Sequence, residues 1–178
     1  ARPVDSGKKR FESEQTKPFN VTGAGSAFEA EDASIGSYAA VRNDKTRSGG
    51  GCVLITSEAE TRDVPDRTED GAIEFEFSTD QSRSYSVWAY ILAPTSAADS
   101  GFFQIDDGTG ESKYINTNIP ISSEYGWFRI GNVKCTAGEK VKVKIRPRES
   151  GWAVDQFVVA AKSSYTPHGI VKEVTDDT

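Results

Sequence analysis

No stretch of this chain sustains an apolar repeat of three to four residues, whereas several alternate strictly, and this confines it to a β fold. Ile73, Phe75 and Phe77 alternate with Glu74, Glu76 and Ser78; Val141, Val143 and Ile145 alternate with Lys142, Lys144 and Arg146. A period of two puts one set on a core and the other in water. Tyr85 to Leu92 is apolar on both faces, the mark of a central strand. Turn clusters punctuate these runs at Asp106-Asp107-Gly108-Thr109-Gly110 and Thr136-Ala137-Gly138-Glu139. Further strands are expected at Phe102 to Ile105, Trp127 to Val133 and Val154 to Ala161. About eight short strands with regular turns predict an all-β antiparallel β-sandwich of the jelly-roll type, in a single domain. The sandwich is expected over residues 25–162, with a polar linker or tail at 1–24 and another at 163–178.

At 178 residues such a domain buries a substantial core. The net charge of −6 opposes general binding to nucleic acid or to an anionic membrane. No apolar run approaches the length of a membrane span. The chain begins at Ala1 and contains no methionine, so it reads as a mature or excised piece of a longer protein. A secreted or cell-surface location is expected. Asn20-Val21-Thr22 matches a glycosylation acceptor. Cys52 and Cys135 are enough for one bridge, and the sequence leaves open whether they meet.

Two segments carry unusual carboxylates. In Phe28-Glu29-Ala30-Glu31-Asp32-Ala33, Glu29 and Glu31 stand at i and i+2, which a strand would point to one face. In Gly151-Trp152-Ala153-Val154-Asp155-Gln156-Phe157, Asp155 interrupts an otherwise buried terminal strand. A carboxylate among apolar neighbours needs a compensating partner, and a cation is one. With a single histidine in the chain, an oxygen-ligated ion such as Ca²⁺ suits Glu29, Glu31 and Asp155. The other reading is an exposed acidic edge and an unrelated loop aspartate. In a sandwich the first and last strands commonly lie side by side, which would let one ion clasp both ends of the domain.

In order, FEAEDA at 28–33, SGGGCV at 48–53, YSVWAYI at 85–91 and GWAVDQFVV at 151–159 resemble the carbohydrate-binding modules of families 6 and 35. These are β-sandwiches appended to polysaccharide-degrading enzymes. Trp127 followed by TAGEKVKVKI at 136–145 fits the same pattern. The resemblance implies a structural Ca²⁺ on Glu29, Glu31 and Asp155, with backbone carbonyls, one of them from near the Ser48 segment, completing the set. It implies a ligand in the loops at one end of the sandwich or on a concave sheet face. It also implies no catalysis and an attached catalytic domain; a monomer is expected. The chain departs from the pattern at Trp152-Ala153-Val154, where the family has an asparagine, and in the acidic loop from Glu58 to Gly71.

Sugar rings stack their C–H faces on aromatic rings and pair their hydroxyls with planar polar groups. Trp152 in its Gly-flanked loop is the first candidate platform, or else a core plug. Trp127 and Tyr125 in the loop after Ser123 follow, and Tyr38 with Arg42 and Asn43 makes a polar–aromatic group. Trp88, mid-strand, reads as core. Arg42, Arg146 or Arg148 beside Trp152 would suit the carboxylate of a uronate, or Arg146 and Arg148 simply solvate a strand edge. For catalysis the chain offers little: the sole histidine, His168, lies in the expected tail, and Asp106-Asp107 is first of all a turn. The competing non-enzymatic reading is a structural or adhesive spacer domain.

Overall fold

The computed structural model describes residues 18–58, 71–161 and 165–175, and over these it is a two-sheet β-sandwich. Twelve strands follow in chain order: β1 (Phe19–Val21), β2 (Gly25–Glu29), β3 (Ser34–Ile35), β4 (Ala39–Asn43), β5 (Gly51–Ile55) and β6 (Ile73–Thr79). They continue with β7 (Arg83–Leu92), β8 (Ser100–Asp106), β9 (Ile115–Asn118), β10 (Gly126–Cys135), β11 (Lys140–Pro147) and β12 (Ala153–Ala161). The first sheet runs β1-β6-β11-β8-β9, with β3 also on β6; the second runs β10-β7-β12-β5-β4, with β2 also on β12. All pairings are antiparallel except β1 on β6. Among the described residues, no helix is long and apolar enough to cross a membrane.

The alternating runs fold as their period requires. Ile73, Phe75 and Phe77 on β6 and Val141, Val143 and Ile145 on β11 all join the core between the sheets. Phe75 packs on Phe157 of β12 at 4.4 Å between ring centroids, joining the two sheets. Full burial of each such ring contributes roughly 1.5–3 kcal/mol. The opposite face carries a charge ladder: Lys140 with Glu76 at 3.9 Å, Lys142 with Glu74 at 3.9 Å, and Lys144 with Asp106 at 3.3 Å.

Both expected tails contribute structure. Strand β1 lies inside the segment read as a linker, where Phe19 stacks on Phe28 at 4.3 Å. Residues 165–175 lie on the outer face of the second sheet, where Val171 and Val174 are buried against Val158 and Ala160. Cys52 and Cys135 are separate buried thiols. Residues 59–70, most of the acidic loop, fall outside the described part of the chain.

Two features of β12 position the site. It runs alongside β2 from Gln156 to Ala160 and alongside β5 at Ala153 and Val154, so β2 and β5 share one of its edges in succession. Its register with β7 slips between Val154 and Gln156, a β-bulge. Val154 and Phe157 are both in the core, so the extra residue leaves Asp155 and Gln156 to turn outward together.

Candidate metal centre and aromatic rim

The carboxylates gather where β2 hands over to β5 opposite the bulge. Glu29 closes β2 and pairs with Gln156. The chain then makes a 3₁₀ turn over Ala30–Asp32, and this turn carries Glu31. Glu31 is therefore not the second outward residue of a strand, as its spacing suggested. The turn, not the pleat, aims it at the cluster. One ligand oxygen from each of Glu29, Glu31 and Asp155 lies within 4.8 Å of the others.

Ser48 organises two of the three. Its hydroxyl donates to Glu29 Oε1 at 2.6 Å and its backbone N–H to Asp155 Oδ2 at 3.1 Å. The Arg47 guanidinium stands 3.6 Å from that same Asp155 oxygen. Glu29 Oε2, Glu31 Oε1 and Asp155 Oδ1 are buried and have no hydrogen-bond partner. Buried carboxylate oxygens without partners are costly, and three facing one another compound the cost by repulsion. Burial, reinforced by the Glu29, Asp155 and Asp32 charges, pushes the Glu31 carboxyl up to about 7. Burial also pushes Asp155 up to about 6, with Arg47 and the Ser48 N–H pulling the other way.

The glycines after Ser48 leave room for this cluster. A Cβ on Gly51 would lie 2.9 Å from Glu31 Oε2, and one on Gly49 3.3 Å from Glu29 Oε2. Gly49 also has φ +63°, which L side chains resist. The donor set is all carboxylate, without nitrogen or sulfur. It fits a hard, oxygen-seeking cation.

An aromatic rim adjoins the cluster on the same sheet face. Trp127 stacks on Tyr90 at 4.8 Å and 22°, and Tyr125 lies 5.5 Å from Tyr90. Arg47 reaches from the cluster to this rim, its guanidinium carbon 4.2 Å from the centre of the Tyr125 ring. Burial and a hydrogen bond with Cys52 raise the Tyr125 hydroxyl above the usual phenol range. Arg42 and Asn43 are exposed on β4, the edge strand of this sheet, and Arg42 is paired in register with Cys52. Trp127 and Tyr125 are each partly exposed.

Three expected ligand residues stand elsewhere. Trp152 is 0% exposed, packed on Gly101 and Phe103, with its indole N–H donating to the Glu149 carbonyl at 2.8 Å. It is the core plug and offers no face to a ligand. Tyr38 is buried in the same core. Arg148 donates to the Ser100 hydroxyl at 3.3 Å and is half-buried there, while Arg146 is buried. Sequence reasoning missed Arg47 and Tyr90, and for the Ser48 segment it expected a backbone carbonyl at the ion and not the hydroxyl and N–H donors that Ser48 supplies. Only the Ser-Gly-Gly-Gly run signalled a close backbone approach.

Neither the protein-family models nor the curated proteins contain a match to this chain. Among solved structures it is similar to the GH26-CBM35 β-(1,4)-mannanase of Podospora anserina, at 17% identity and a TM-score of 0.57, over 83% of this chain and 30% of that one. It is similar to the mosquito-larvicidal Cry4Aa toxin of Bacillus thuringiensis, at 10% identity and a TM-score of 0.59, over 83% of this chain and 25% of the toxin. It is also similar to the C-terminal CBM6 of the laminarinase LamC from Zobellia galactanivorans, at 15% identity and 0.52, over 76% of this chain and 98% of that module. The chain thus spans under a third of the first two proteins and nearly all of the third. What these likenesses define is a fold: the jelly-roll β-sandwich that carbohydrate-binding modules of both families adopt. The Cry toxin has it too, so the fold by itself does not decide the ligand.

Proposed function

We propose that this chain is a non-catalytic carbohydrate-binding module with a structural Ca²⁺, acting outside the cell to hold an attached enzyme on a polysaccharide. The observation that carries the reading is the set of three partnerless carboxylate oxygens cradled by Ser48, Gly49 and Gly51 beside a stacked aromatic rim. Glu29, Glu31 and Asp155 hold the ion, which neutralises their charge and ties β2, its following turn and β12 together. Trp127, Tyr90 and Tyr125 offer ring faces to sugar C–H surfaces, each worth on the order of 1 kcal/mol. Arg42 and Asn43 supply hydroxyl or carboxylate partners at the rim, and the exposed guanidinium of Arg42 favours a uronate-containing chain. The similarity of fold to family 6 and family 35 modules supports the same reading.

The test is affinity electrophoresis and calorimetry of the full chain against neutral and acidic polysaccharides, with calcium and with EDTA. Binding to at least one glycan is expected, lost with Trp127→Ala, together with a fall in melting temperature on chelation. A chain that binds no glycan in either class is a spacer, and the reading is overturned. A chain indifferent to chelation has no structural ion.

A further inference from the structure

The outer face of a sheet is normally polar, yet here it carries Trp88, Tyr90 and Trp127, and part of it is covered by the chain's own C-terminal segment. Residues 165–175 adopt no strand or helix, and seven of the eleven are exposed. Side chains of the sheet bond to them. The Gln156 carboxamide accepts from the Val171 N–H at 2.9 Å and donates to the Val171 carbonyl at 2.7 Å. The Trp127 indole N–H donates to the Gly169 carbonyl at 2.7 Å. Val171 and Val174 fill a shallow apolar seat with Val158 and Ala160, against which Ala27, Trp88, Trp127 and Tyr165 also pack.

The seat leaves one polar group unsatisfied. The Trp88 indole N–H is buried and has no acceptor. A buried donor without a partner disfavours the state that leaves it so. With the segment in place, the Trp88 ring packs in the seat and the Arg129 guanidinium lies 5.9 Å from its centre. The groups engaged or left over are two indole N–H donors, a carboxamide with one donor and one acceptor, and two indole rings. That is the set that adjacent sugar hydroxyls and a sugar C–H face require. The peptide fills the carboxamide but not the second indole.

We propose that Tyr165–Thr175 is a displaceable strap closed over a second saccharide-binding surface formed by Trp88, Trp127 and Gln156. This rests on the carbohydrate-binding reading above and extends the rim, with which it shares Trp127, onto a part of the sheet that the strap gates. A site open for only a fraction of the time binds with its affinity reduced by that fraction.

The experiment compares the full chain with the Val171→Asp/Val174→Asp variant, which unseats the strap without shortening the chain. Val171→Ser is the milder alternative if the double variant does not fold. Cellohexaose, mannohexaose and laminarihexaose serve as probes in calorimetry. The unseated variant is expected to bind at least one of them roughly tenfold or more tightly than the parent. Trp88→Ala in the unseated background is expected to remove the gain, and a synthetic peptide of residues 165–175 to compete with the sugar. In the unsubstituted chain, amide exchange over Gly169–Val174 is expected to quicken at saturating sugar. Equal binding by parent and folded variant overturns the strap and leaves the rim reading standing. Absence of binding by both, to these probes and to the acidic polysaccharides above, overturns the two together. Unchanged or slowed exchange with sugar bound also overturns the strap.

Discussion

Replacing Glu31 by glutamine should reverse the order of stability between calcium and EDTA. Glu31 keeps its shape in the variant but loses a charge that burial and three neighbouring carboxylates oppose. In the metal-free protein its carboxyl is raised from 4.5 to about 7, so the folded state binds the proton more tightly than the unfolded chain does. The stabilisation from that proton is complete below the unfolded value of 4.5 and is lost as pH rises through about 7. Above pH 7 the parent therefore carries the full cost of the charge. At 1.36 kcal/mol per unit the displacement corresponds to about 3 kcal/mol. Solvent screening of this partly exposed side chain reduces that to the order of 1–2 kcal/mol. At roughly 2–4 °C per kcal/mol for a domain of this size, Glu31→Gln should melt about 2–8 °C above the parent in EDTA at pH 8. With free calcium at about a hundred times its dissociation constant the parent gains about 2.7 kcal/mol, and the variant, short of one anionic ligand, gains far less. Thermal melts followed by circular dichroism in both buffers decide it. A variant no more stable than the parent in EDTA, or a parent unmoved by calcium, refutes the argument.

Three further outcomes follow from the same geometry. Metal-free parent should grow more stable as pH falls from 8 towards 5, and Glu31→Gln should keep only the weaker slope due to Asp155, raised to about 6; denaturant melts across that range measure both. Gly51→Ala places a methyl 2.9 Å from Glu31 Oε2 and should weaken calcium binding by calorimetry more than tenfold, with a smaller loss of stability in EDTA from its 3.2 Å approach to the Arg42 carbonyl. Trp152→Ala should cost about 3–5 kcal/mol in urea unfolding, because it empties a fully buried site. Under conditions where it stays folded, its polysaccharide affinity should match the parent's, which a platform residue could not do.

The sandwich was legible because period-two alternation survives in β6 and β11, whose apolar faces meet the core, and because β7 reads as a central strand, apolar on both faces. The carboxylate cluster was legible in its members but not in its reason. Glu-X-Glu spacing implies a pleat, whereas a 3₁₀ turn brings Glu31 round. Trp152 reads as an exposed loop residue because glycine precedes it. Its cover comes from Gly101 and Phe103, some fifty positions earlier in the chain, and no local window contains them. The C-terminal segment reads as a tail because two valines among polar residues look incidental. Their burial depends on a seat built by β7, β10 and β12. Arg47 was invisible for the same reason: its partners Asp155 and Tyr125 are both distant in sequence.

The single extra residue in β12 links these features. In an unbroken strand, Val154 facing the core would put Asp155 outward and Gln156 inward, and Phe157 would leave the core. The bulge keeps both Val154 and Phe157 inside and spends the extra residue at the point where β2 and β5 succeed each other along the strand's edge. Asp155 then enters the gap between those strands, the one place where Glu29, Glu31 and the Ser48 turn are all within reach. Gln156, turned to the same side, meets the peptide that crosses the sheet. An ionisable side chain and a carboxamide adjacent in sequence are thus both presented outward by a strand whose nine residues are all buried. Regular alternation cannot produce that arrangement. The irregularity in register is therefore what makes this buried strand able to carry a site.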